Sequence, residues 1–144
     1  FIALDAVSDP GNIGTIIRTA EWFGIPQIIL GRDCADKYNT KTVRSSMGSI
    51  FNSAIISHHD LAGFIMENFK GYKIYGATLD SDILLDKIKK NSKFGLVFGS
   101  EAHGISPEVQ EVLTKSYKIE GPGNSESLNV AVAVGISLYH FTSG

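Results

Sequence analysis

Three short segments hold most of the side chains able to do chemistry. The first, Leu4-Asp5-Ala6-Val7-Ser8-Asp9-Pro10-Gly11-Asn12, runs from a strand into a turn and on to a helix carrying Arg18. The second, Phe98-Gly99-Ser100-Glu101-Ala102-His103-Gly104-Ile105-Ser106, ends a buried strand in a loop. Its two glycines permit close backbone approach to a ligand. The third, Gly121-Pro122-Gly123-Asn124-Ser125-Glu126-Ser127-Leu128-Asn129, is a flexible loop ending in a polar Ser-x-Asn pair at the mouth of an apolar helix. Amides, hydroxyls, one guanidinium, one imidazole and four carboxylates (Asp5, Asp9, Glu101 and Glu126) make up the set.

Some chemistries are excluded at once. His58, His59, His103 and His140 lack metal-ligand spacing, and the single cysteine, Cys34, cannot build a zinc site. No metal is therefore expected. His58 and His59 fall in a solvated loop, and His103 reads as a bystander within the second segment. Asp9-Pro10-Gly11-Asn12-Ile13-Gly14 lacks the Gly-x-Gly-x-x-Gly spacing of a dinucleotide site. Taken singly, each segment also reads as a turn plus helix cap, because Asn12, Ser106 and Ser127 are all good capping residues.

β-rich runs alternating with helix-period segments must position these loops, which points to an α/β domain with a largely parallel sheet. The expected strands are Phe1–Ala6, Gln27–Leu30, Ser53–Ser57, Lys73–Thr78, Lys93–Gly99 and Tyr117–Ile119. All three segments then fall at carboxyl ends of strands, where open α/β sheets bind ligands. A helix from about Asn12 carries Ile13, Ile16, Ile17, Ala20 and Gly24 on one stripe, with Thr15, Arg18 and Trp22 opposite. Trp22 is expected in the core or in a dimer contact. Asp60 caps a second helix closed by Gly71, and Pro107 opens a third after Ser106. The last helix, Leu128–Phe141, is apolar almost all round, so burial on two sides is expected, by crossing the centre of the domain, by packing on a second subunit, or partly by both.

The 144 residues suit one domain with a real core. Leu128–Phe141 is too short to span a bilayer and contains Asn129, Ser137 and His140, so no membrane partner is expected. No basic-then-apolar leader precedes the first strand. One cysteine fits a reducing compartment, and a cytoplasmic location is expected. With 13 Lys+Arg against 15 Asp+Glu, any grip on nucleic acid must come from basic groups gathered locally or from another domain.

Taken together, the three segments, from Asp5 to Ala20, from Gly99 to Ser106 and from Ser127 to Ala133, resemble in order the three motifs of SpoU-type methyltransferases of the SPOUT superfamily. Lys41-Thr42-Val43-Arg44-Ser45-Ser46-Met47-Gly48 is similar to that family's basic, small-residue stretch after the second strand. The resemblance spans nearly the whole chain. Two positions depart from it: Ala102 stands where the family usually has glycine, and Glu120 where it often has proline.

The resemblance implies a parallel sheet with helices on both faces and a C-terminal deep trefoil knot, an exception to the rule that chains do not thread loops. It implies residues 1–144 as a catalytic domain, with an N-terminal RNA-selecting domain in many relatives. It implies methyl transfer from S-adenosylmethionine to a ribose 2′-hydroxyl of tRNA or rRNA, by a homodimer. By residue, it gives catalytic or RNA-phosphate roles to Asn12, Arg18, Glu101, Ser127 and Asn129. Cofactor contacts fall to Thr78, Leu79, Phe98, Gly99, Ser100, Gly104, Ile119, Ser127, Leu128 and Asn129. RNA contacts fall to Arg18, Lys41 and Arg44, although Arg44 also reads as a surface charge and Glu101 as a helix acid or an ion-pair partner of Arg18. A non-catalytic RNA-binding module with the same fold is the alternative.

Overall fold

The computed structural model describes residues 1–144. Six parallel strands form one sheet: β1 (Ile2–Asp5), β2 (Gln27–Leu30), β3 (Ala54–Ser57), β4 (Lys73–Ala77), β5 (Phe94–Gly99) and β6 (Lys115–Tyr117). Their spatial order is β3-β2-β1-β5-β4-β6. The helices are α1 (Pro10–Trp22), α2 (Thr40–Ser45), α3 (Leu61–Asn68), α4 (Pro107–Gln110) and α5 (Val130–Thr142).

Successive strand side chains point to opposite faces, and here both faces are covered. Ile2, Leu4, Ile28, Leu30, Leu96 and Phe98 enter a core of 21 buried residues shared with α1 and α5. Ala3, Ile29 and Val97 enter a smaller core of 9 shared with α3 and α4. The expected stripe of α1 is buried at Ile13, Ile16, Ile17 and Ala20, whereas Gly24 lies past the helix end with positive φ.

Several expectations need correction. The sixth strand is Lys115–Tyr117, not Tyr117–Ile119. Its pairing with β4 ends at Tyr117, and the Lys118 backbone turns to bond Ile83 and Leu85 instead. Asp9, not Asn12, caps α1, because Pro10 occupies the first turn and the Asp9 carboxylate accepts from the Asn12 N–H. Asn129, not Ser127, caps α5 and accepts from the N–H groups of Ala131 and Val132. Ser106 precedes α4 without a side-chain capping bond. Helix α5 starts at Val130 rather than Leu128, and within one chain it is buried along one side, at Val130, Val134, Ser137, Leu138 and Phe141, while Val132, Ile136 and Tyr139 are exposed. Trp22 is not core, being 85% exposed.

Helix α2 carries no apolar stripe and escaped the periodicity argument. It is held by docking on α1: a Cβ on Gly14 would meet the Ser45 Oγ at 1.8 Å and the Thr42 carbonyl at 2.5 Å, so only glycine permits this approach. No helix is long and apolar enough to cross a membrane.

Cys34 Sγ donates to the Leu4 carbonyl at 3.2 Å, and burial pushes its thiol up to about 11. The thiolate is the nucleophile, so at pH 8 the folded protein should resist alkylation by iodoacetamide and react only after unfolding in denaturant. Mass spectrometry of the two samples reads this directly; equal rates would show that the thiol is accessible.

Candidate active site

Strand β1 is the turning point of the sheet, with β2 and β3 on one side and β5, β4 and β6 on the other. Crevices at such a reversal, beyond the carboxyl ends of the strands, are the binding places of open α/β folds. Here the β1, β5 and β6 ends lead into the three polar segments. The structure joins them at one place, the amino end of α5.

Asn129 Nδ2 donates to Asn12 Oδ1 at 3.0 Å, across 117 positions of sequence. The Val130 N–H donates to Glu101 Oε1 at 3.4 Å. One residue from each segment thus meets at the same helix terminus, where the Val130 N–H and the helix dipole favour the negative carboxylate. No ion pair joins Glu101 to Arg18; the ion pair present is Lys87–Asp86. Of the two structural readings of Glu101, its contact with the Val130 N–H matches the helix-terminus acid, supplied from another segment. Arg18 is exposed and lies six residues beyond Asn12 along α1, outside the hydrogen-bonded cluster.

Beside the cluster opens a cleft of about 750 Å³, within the size range of small-molecule sites. Every residue expected to contact a cofactor lines it except Asn129, which stands at its edge as the α5 cap. Glu101 and Ser127 also line it, while Asn12, Arg18, Lys41 and Arg44 do not. The Ser100–Gly104 turn forms one wall, closed by reciprocal backbone bonds of 3.2 and 2.9 Å and by Ser100 Oγ accepting from the His103 N–H at 2.9 Å.

Two features of the cleft point to its occupant. Thr78 Oγ1 is buried there without a hydrogen-bond partner, and such an atom is costly unless a ligand satisfies it. The charged lining is all acidic, namely Asp80, Glu101, Glu120 and Glu126, with no lysine or arginine. That lining suits a small cation, and the residues present fit S-adenosylmethionine, which carries a sulfonium and an ammonium. Asp80 and Glu126 were missed from sequence, although Asp80 stands just two positions past Thr78. A second cleft of about 500 Å³, on the α3–α4 side of the same turn, mixes Arg32 and His59 with Asp5 and Asp60 and holds none of the converging residues.

Lys41 packs its side-chain end beside Gly11. The Asp9 carboxyl is held below its ordinary range, first by the Asn12 N–H and then by the Gly11 N–H and Lys41. Arg44 is exposed in the last turn of α2.

Residues 1–139 match the SpoU rRNA Methylase family. The chain belongs to that family. Among its SpoU relatives is the 23S rRNA (guanosine(2553)-2'-O)-methyltransferase RlmP of Bacillus subtilis, 37% identical over 140 residues, covering 96% of this chain and 56% of the relative. Another is the 23S rRNA (guanosine-2'-O-)-methyltransferase RlmB of Xanthomonas axonopodis pv. citri, 30% identical, covering 96% of this chain and 56% of the relative. The crystal structure of the SpoU methyltransferase AviRb from Streptomyces viridochromogenes in complex with AdoMet superposes with a TM-score of 0.91 at 28% identity, covering 98% of this chain and 56% of that one. This SpoU chain spans about half the length of the relatives it matches.

Proposed function

We propose that this chain is the catalytic domain of a methyltransferase that uses S-adenosylmethionine to methylate a ribose 2′-hydroxyl of ribosomal or transfer RNA. The observation that carries the reading is the meeting of Asn12, Glu101 and Asn129 at the amino end of α5, beside an acidic cleft. S-adenosylmethionine supplies an electrophilic methyl group when bound. Thr78, Leu79 and the 98–104 and 119–129 segments hold it. Asn12 and Asn129 fix the substrate ribose against it, and Glu101 and Ser127 align the reacting groups. Such positioning is worth roughly 7–11 kcal/mol of barrier. Arg18, Lys41 and Arg44 bind the RNA phosphates.

The protein works as a homodimer. Val132, Ile136 and Tyr139 make an exposed apolar stripe on α5, and Trp22 is a further exposed apolar side chain, on α1. Covering this surface with a second copy supplies the two-sided burial that α5 lacks in the monomer. The C-terminal segment threads a trefoil knot. Supporting this, the β4–β5 connection pairs in parallel with the chain leaving β6 through Ile83, Leu85 and Lys118, then meets α5 where His140 reaches the Ile88 carbonyl. A further N-terminal domain selects the RNA in the whole protein, and the lone thiol of Cys34 suits the cytoplasm.

Titration calorimetry with S-adenosylmethionine tests the cofactor site, with micromolar binding expected. A folded protein giving no heat would favour an RNA-binding module without turnover. Asn129 variants separate cap from site. Asn129→Ala removes both the α5 cap and the Asn12 bond and should cost about 1 kcal/mol in thermal melts. Asn129→Ser keeps a capping oxygen, melts close to wild type, and is too short to reach Asn12. Both should weaken cofactor binding and lower turnover on the order of 10²-fold, as misplacement of reactants does. Wild-type turnover in Asn129→Ser would reduce Asn129 to a helix cap.

A further inference from the structure

Net charge across the chain is −2, yet Lys37, Lys41 and Arg44 place three cations and no acid between positions 37 and 44. In the middle of them Tyr38 is 75% exposed. A single exposed aromatic is ordinary, but this one is built into place. The Tyr38 N–H donates to Asp36 Oδ1 at 2.6 Å, which fixes the backbone of the turn. Lys37 Nζ stands 5.3 Å from the Tyr38 ring centroid while donating to the Ile55 carbonyl on β3 at 2.9 Å. The ammonium is thereby anchored to the sheet and backs one face of the ring. Asn39 then caps α2 by accepting from the Lys41 N–H. Lys41 in turn lies beside Gly11, the residue before Asn12. Tyr38 thus stands three residues before Lys41, whose side-chain end lies beside Gly11 on the approach to the Asn12–Asn129 pair.

We infer that Tyr38 is a stacking platform for an unpaired base of the substrate RNA, held next to phosphates bound by Lys41 and Arg44. An aromatic ring among cations is the combination that binds single-stranded nucleic acid: every base has a face to stack, and the phosphates meet the charges. This inference rests on the RNA-methyltransferase reading and adds a contact outside the catalytic cluster.

The test uses the full-length protein and a short single-stranded RNA containing 2-aminopurine, whose fluorescence is quenched when the base stacks. Wild type should bind and quench. Tyr38→Ala should bind roughly 5- to 150-fold more weakly and lose the quenching, while Tyr38→Phe retains both. Lys41→Ala should weaken binding and flatten its salt dependence by about one phosphate contact yet keep the quenching. If wild type binds the RNA and Tyr38→Ala matches it in affinity and quenching, the stacking role is overturned and the methyltransferase reading stands. If wild type binds S-adenosylmethionine but no RNA, the RNA reading falls and the platform falls with it.

Discussion

Replacing Arg18 with alanine should lower methyl transfer to RNA by roughly two to three orders of magnitude, the usual loss when a group that stabilises transition-state charge is removed. Cofactor affinity should stay at the wild-type level, because Arg18 lies outside the acidic cleft. Its side chain is exposed on the side of α1 opposite the buried stripe, and no carboxylate pairs with it. The guanidinium is therefore free to meet a phosphate, and its removal leaves the fold intact to within about 0.5 kcal/mol. A free guanidinium is a poor base, since making it neutral at pH 7 costs about 7 kcal/mol. The role assigned to it is to bind phosphate and steady negative charge on the attacking oxygen, with the proton passing to phosphate or water. Arg18→Lys keeps a charge but not the planar fork, so it should recover part of the loss with an unshifted pH profile. Near-full activity with a profile moved by several pH units would instead mark Arg18 as the base.

Gly99→Ala should remove cofactor binding and destabilise the fold by about 3 kcal/mol, the upper part of the range for overpacking. A Cβ there would stand 2.1 Å from the Gly104 carbonyl carbon, 2.2 Å from its oxygen and 2.3 Å from the Ile105 nitrogen. All three are backbone atoms and cannot rotate away. The Ser100–Gly104 turn would have to open, and with it the cleft wall carrying Glu101 would shift. Gly135→Ala is the control, because its Cβ would meet only the Thr19 methyl at 3.8 Å, an ordinary contact, and Gly135 does not line the cleft. Thermal unfolding and calorimetry on the two variants check this. A Gly99→Ala protein that melts and binds like wild type would show that the turn is not held as described.

Residues whose environment follows from local pattern were legible in the sequence. The period of α1 placed Ile13, Ile16, Ile17 and Ala20 in the core, and the strand runs placed all six strands, five of them within a residue at each end. Errors arose where long-range contacts decide. Helix α2 forms because Gly14 admits Thr42 and Ser45, which no periodicity announces. Ser127 and Asn129 are equally good caps by type, and only the geometry of the loop selects Asn129. The Asp9 cap was within reach, since a proline in the first turn points to the residue before it, the reasoning applied to Ser106 and Pro107. At the site, residue types and strand ends located the three segments, and family resemblance ordered them. The 3.0 Å bond between Asn12 and Asn129 was beyond sequence, because nothing local couples positions 117 residues apart.

Central to this account is that the methyl group goes to a ribose oxygen of RNA. The direct test incubates the full-length protein with S-adenosylmethionine labelled in its methyl group and unmodified ribosomal and transfer RNA, then hydrolyses the RNA in alkali. Alkaline cleavage needs a free 2′-hydroxyl, so ribose methylation protects the neighbouring phosphodiester and leaves a resistant dinucleotide. Label is expected in resistant dinucleotides and is expected to be lost with Arg18→Ala. Label in single nucleotides would place the methyl on a base, and no label from protein that binds both cofactor and RNA would contradict catalysis altogether.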